Sequence, residues 1–175
     1  MSLDAVDGVT IARNTALAGE RYDPTCYKGM ELLRMTREDV SQYHEHLAKI
    51  PMFGSCTPEQ LDRLAELGDE RAVSDAVAVV REGDKGGTFF LVTGGSARVT
   101  RNGREVDTLG PGDYFGELSL FDPAPRDATI MAVGPLSFVS FSRVSFMQAL
   151  DEIPSFRDSL LHGMARRLHE LDRRM

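Results

Sequence analysis

The pattern of apolar and polar positions changes character twice along the chain. Through residues 1–35, Gly, Asp, Asn and Thr mix with scattered apolar side chains, and neither a period of 2 nor one of 3.6 persists, which predicts an arm or linker. Thr36, with Asp39 three residues on, reads as the cap of a helix through "REDVSQYHEHLAKI", and Pro51 turns Ile50 away from helical geometry. A second helix follows directly. Thr57 caps it, Pro58 takes the first helical position, Gln60 completes a capping box, and "PEQLDRLAEL" sets Leu61, Leu64 and Leu67 on one side before Gly68 ends it.

From Glu70 to Ser142 short runs of Val, Phe, Thr and Ile alternate with "EGDKGG", "TGG", "NG", "GPGD" and "VGP", which predicts a many-stranded antiparallel domain with a turn at each separator. Asn102-Gly103, between "SARVT" and "REVDTL", is the pair favoured where both central residues of a hairpin turn need positive φ. After Ser142 the period becomes helical in "VSFMQALDEI", breaks at Pro154 and resumes in "SFRDSLLHGMARRLHELDRRM". The order is helices, barrel, helices. This gives a mainly β member of the α+β class, with an arm at 1–35, a barrel and its flanking helices at 36–154, and a terminal helix at 155–175.

Composition narrows the chemistry. At 175 residues and 42% hydrophobic, the chain has material for one domain with a core. A formal charge of -7 argues against a broad phosphate-neutralising face, so no nucleic-acid partner is expected, although a local basic pocket remains open. No run reaches the roughly 18 apolar residues of a spanning helix, and the N-terminus lacks a basic-then-apolar leader, so a cytoplasmic location without membrane contact is expected. Cys26 and Cys56 show no paired spacing, so no disulfide or zinc site is expected. His44 and His46, two apart on one helix, point to different faces; with His162 and His169 they all fall outside the strand region, which removes the ligands a barrel metalloenzyme would use. No metal, cofactor or catalytic residue is expected.

The candidate chemistry lies in "FGELSLFDPAPRDAT", residues 115–129. Gly116 lets backbone approach a ligand closely, and "ELSLF" is long enough for one helical turn whose free N–H groups face an anion. Arg126 offers a planar fork for two phosphate oxygens. Glu117 repels a phosphate but, ionised, is a pure acceptor suited to a sugar hydroxyl beside it. An ordinary surface ion pair between the two is the plainer alternative, and would be worth about 0 to 1 kcal/mol.

"GDYFGELSLFDPAPRDATIMA" resembles the phosphate-binding cassette of cyclic-nucleotide-binding domains, the family found in the catabolite activator protein, protein kinase A regulatory subunits and cyclic-nucleotide-gated channels. "VVREGDKGGTFFLVTGGSARVT" is similar to the family's earlier strands, with Gly83, Asp84 and Gly95 at its turns, and the likeness runs over roughly residues 44 to 170. The resemblance implies a jelly-roll barrel. It also implies that Glu117 accepts from the ribose 2'-hydroxyl and Arg126 pairs with the cyclic phosphate. Amides near Gly116, Ser119 and Asp127 would complete the cradle, Leu118 and Ala128 are further ligand-binding candidates, and Thr129 would lie near the base. The function implied is a regulatory sensor that binds cAMP, or cGMP, and signals to a downstream protein as its C-terminal helices swing about Pro154.

Asp127 departs from the family pattern. Members that prefer guanine often carry Ser or Thr directly after the arginine, so cAMP is favoured over cGMP here. A carboxylate turned inward would repel phosphate; on that alternative the chain is a non-binding adaptor. A DNA-binding output of the catabolite activator type is not expected, since Met175 closes the sequence without a helix-turn-helix. In the last helix Leu161, Met164, Leu168, Leu171 and Met175 form a seam spaced by three and four, where either the same barrel or a second copy would pack. Arg166 and Arg167 read as solvated charge, with purine stacking as the alternative. Phe156, at the start of that helix, does not supply an aromatic lid.

Overall fold

The computed structural model describes residues 47–173. The arm at 1–35, most of the helix expected from Thr36, Cys26, His44, His46 and Met175 lie outside the described residues. After a short 3-10 turn at Pro51–Phe53 comes α1 (Pro58–Leu67), and its capping box forms as read: Thr57 Oγ1 accepts from Gln60 N and Gln60 Oε1 from Thr57 N. Six strands follow, β1 (Asp69–Val73), β2 (Ala78–Val80), β3 (Thr88–Arg101), β4 (Arg104–Leu109), β5 (Tyr114–Phe115) and β6 (Thr129–Ser142), with a one-turn helix α2 (Leu118–Phe121) before β6. The chain ends in α3 (Arg143–Glu152) and α4 (Pro154–Asp172).

The pairing is antiparallel throughout, in the order β1-β6-β3-β4, with β2 also on β6 and β5 also on β3. Only β3 and β4 are joined by a tight hairpin, at Asn102 (φ 51) and Gly103 (φ 74); every other pairing is a crossover, as the jelly-roll plan requires.

Two expected turns are not turns. "TGG" and "VGP" lie inside β3 and β6, and Gly95 is a residue of β3. Where Gly94 to Ser96 face Val133 to Ser137 the register shifts, so the two 14-residue strands bulge together and resume pairing. A bulge and a turn use the same residue types, and only the partner strand distinguishes them.

The 2-residue period of β3 divides the core in two. Phe89 and Leu91 join Val139, Phe141, Phe146 and Phe156 in the layer between barrel and helices, whereas Phe90 and Val92 join Phe115, Leu136 and Phe138 inside the barrel. Phe89 is the hub of the outer layer, within 4.8 to 6.2 Å of the rings of Tyr114, Phe141, Phe146 and Phe156. Phe156 and Leu160 are buried there, so one face of the first two turns of α4 belongs to the core. Between α3 and α4, Ile153 (φ -125, ψ 83) is off helix and Pro154 starts the next one, as expected of that dipeptide. Links to α1 span the break: Arg63 pairs with Glu152, and Ser155 Oγ donates to Gln60 Oε1 at 2.9 Å. Among the described residues no helix is long and apolar enough to cross a membrane.

Candidate functional site

The "FGELSLFDPAPRDAT" loop leaves the barrel at β5, where Phe115 stacks on Phe90 at 4.7 Å, and returns at β6. Gly116 makes the turn at φ +88. A Cβ there would lie 2.4 Å from Thr88 O and 2.7 Å from Arg126 Nη1, so its hydrogen is what lets the arginine in. The loop between β2 and β3 holds the returning arm: Arg126 N donates to Asp84 O and Gly83 N to Arg126 O, both at 2.8 Å.

Arg126 is only 6% exposed. Its Nη2 donates to Thr88 O at 2.9 Å and its Nη1 to Ser119 Oγ at 3.1 Å, with Gly116 O at the limit of 3.5 Å and the Phe90 ring 5.7 Å away. Those acceptors are all neutral, and among the described residues Arg126 has no carboxylate within ion-pair distance. Its Nε is buried without a partner. A guanidinium taken out of water costs several kcal/mol unless an anion compensates, and among the described residues no carboxylate does so for Arg126.

Glu117, 5% exposed, precedes α2. It does not pair with Arg126. Arg167, one face of α4 away, donates from Nη1 to Glu117 Oε1 at 3.0 Å and from Nη2 to Tyr114 O at 2.6 Å, its guanidinium 4.0 Å from the Tyr114 ring centroid. Tyr114 in turn fills the space over Gly163, where a Cβ would lie 2.5 Å from its hydroxyl. Arg167, read from sequence as solvated, is therefore a residue of this site. Gly163 four positions earlier, a residue suited to a close helix contact, marks the face of α4 that presses on the barrel.

Burial pushes the Glu117 carboxyl up from its ordinary value; the Arg167 charge draws it back and the Asp127 charge adds to the rise. A carboxyl whose pKa is higher folded than unfolded favours the native state when protonated, so its contribution is present below the ordinary carboxylate range and is lost as pH rises through the raised value. Denaturant unfolding from acid to neutral pH is expected to show that decline in the wild type and its loss in Glu117→Gln. A variant with the same slope would remove Glu117 as the source.

The remaining expected residues are placed as follows. Leu118 is exposed; Ser119 is buried and its Oγ accepts from Arg126 Nη1; Ala128 is buried. Thr129 Oγ1 accepts from Glu82 N at 2.9 Å, at the start of β6. Asp127 is turned outward onto Arg101, with Nη2 to Oδ2 at 2.8 Å. Arg143, the first residue of α3, donates to Leu120 O at 2.6 Å, tying the end of α2 to the C-terminal helices. His162 and His169 lie on α4, and no cluster of metal-ligating side chains forms among the described residues.

A family model described as "Cyclic nucleotide-binding domain" matches residues 70–152. The cAMP-dependent protein kinase regulatory subunit of Yarrowia lipolytica is 33% identical over 124 residues, which is 70% of this chain and 33% of that one. A cGMP-dependent protein kinase of Caenorhabditis briggsae is 28% identical over 71% of this chain and 18% of its own length. The regulatory domain of Toxoplasma gondii PKA, crystallised with cAMP, superposes with a TM-score of 0.62 at 27% identity, covering 72% of this chain and 49% of that one. The chain thus spans a third or less of the length of these two curated relatives.

Proposed function

This chain belongs to the cyclic nucleotide-binding domain family, and from that membership we propose that it is a cytoplasmic sensor module that binds cAMP in preference to cGMP. The observation that carries the reading is Arg126, a buried cation held by neutral oxygens, with Glu117 buried on the same loop. The cyclic phosphate takes the Arg126 fork. The ribose 2'-hydroxyl donates to Glu117. The module does no chemistry of its own. Absence of a hydroxyl directly after Arg126 favours adenine over guanine, and Asp127 turns its carboxylate outward onto Arg101.

The barrel with its flanking helices binds, and the helix from 155 onward reports. Because Arg167 of α4 holds Glu117, a ribose bound to that carboxylate changes the anchor of α4 directly; Arg143 carries any shift of α2 into α3. The two helices then swing about Ile153-Pro154 and present a new surface to a downstream protein. Isothermal titration of nucleotide-free protein tests the binding step. Micromolar cAMP affinity, about -8 kcal/mol, with weaker cGMP affinity supports it; folded, empty protein that gives no heat with either defeats it and leaves the adaptor role.

A second copy covers the seam on α4, where Leu161, Leu168 and Leu171 are exposed, Leu168 by 67%. Light scattering on the wild type is expected to give a homodimer and on Leu168→Arg a monomer. A wild type that stays monomeric at high concentration leaves the seam to another partner.

A further inference from the structure

We propose that Arg101 is a positioning residue of this site: by gripping Asp127 it holds a carboxylate out of the anion cradle. The inference rests on the nucleotide reading and adds to it the residue that makes Asp127 tolerable beside the phosphate arginine. Asp127 follows Arg126 directly, so with its side chain free to rotate, its charge has access to the space where phosphate oxygens sit. Arg101 prevents that with both ends of its fork. Nη2 pairs with Asp127 Oδ2 at 2.8 Å, and Nε donates to the Asp127 backbone oxygen at 3.0 Å. One arm neutralises the carboxylate and the other fixes the peptide that carries it.

Arg101 is itself well placed to hold. It is the last residue of β3, directly before the Asn102-Gly103 turn, and the neighbouring contacts tie that hairpin tip to the same corner. Asn102 N donates to Glu82 Oε2 at 2.9 Å, and Glu82 N donates to Thr129 Oγ1 at 2.9 Å. The hairpin tip, the segment after β2 and the start of β6 are thus tied together by contacts that include the Arg101–Asp127 pair. The field of Asp127 reaches the site, since it contributes to the raised pKa of Glu117, so the carboxylate is not electrostatically remote.

An exposed pair such as this one is screened, which sets both the size of the effect and its signature. At about 20 mM salt Arg101→Ala is expected to weaken cAMP binding by about three- to fivefold, and the deficit should shrink towards none at about 0.5 M salt as the Debye length falls. Asp127→Asn alone should bind at least as well as the wild type. Arg101→Ala combined with Asp127→Asn should recover wild-type affinity, whereas Arg101→Lys should recover only part, because a point charge cannot serve both oxygens. A purely structural role for Arg101 would give a deficit that neither salt nor the second substitution corrects, and that outcome overturns the proposal. So does an Arg101→Ala protein that binds like the wild type at low salt. Wild-type protein that binds neither nucleotide overturns the nucleotide reading, and this inference with it; wild-type binding with an unaffected Arg101→Ala overturns this inference alone. Arg101→Gln, which keeps part of the aliphatic stem and removes the charge, repeats the low-salt measurement should the alanine variant melt early.

Discussion

Arg126→Ala is expected to weaken cAMP binding by roughly ten- to 150-fold, the cost of a charge-assisted hydrogen bond at about 1.5 to 3 kcal/mol. The effect is large because Arg126 is the buried cation of the cradle and its neighbours are neutral. Arg126→Lys should bind poorly as well: an ammonium is a point charge, and Thr88 O and Ser119 Oγ are set for two different nitrogens of one plane. The fold should pass through these changes with less damage than the affinity, since removing an uncompensated buried charge offsets the loss of its bonds to Thr88 and Ser119. Titration calorimetry beside thermal melting separates the two. Equal affinities for wild type and Arg126→Ala would mean that the phosphate is held elsewhere.

Gly116→Ala is expected to damage both fold and site. The left-handed backbone alone costs about 1 to 2 kcal/mol for a residue with a side chain. The new Cβ would also sit 2.4 Å from Thr88 O and 2.7 Å from Arg126 Nη1, closer than real contacts allow. Thr88 O is fixed in β3, so the guanidinium is the group that gives way, and its bond to that same oxygen goes with it. A lower melting temperature together with a loss of cAMP affinity approaching that of Arg126→Ala is the expected pair of results. Unchanged affinity would show that the arginine can bind phosphate from a different seat.

Much of this architecture is legible locally. The capping box at Thr57 and Gln60, the Asn102-Gly103 hairpin and the helix break at Ile153-Pro154 all form as read, because each depends on residues within a few positions of one another. "TGG" and "VGP" misled for the converse reason. A glycine pair is compatible with either a turn or a bulge, and the choice fell to the 14-residue partner strand, which the local pattern does not contain.

The site divides along the same line. Sequence alone determined that Glu117 and Arg126 belong to one loop of a recognisable cassette, since motif and spacing are properties of a contiguous stretch. Which groups they touch was decided by tertiary structure. Arg126 meets Thr88 from 38 residues away, Glu117 meets Arg167 from 50 away, and Asp127 turns outward because Arg101, 26 residues back, is there to receive it. Hydrogen bonds and direct ion pairs need a partner within a few ångströms. Their partners are therefore chosen by the packing of β3 and α4 against the loop, and the order of residues along the chain does not reveal that packing.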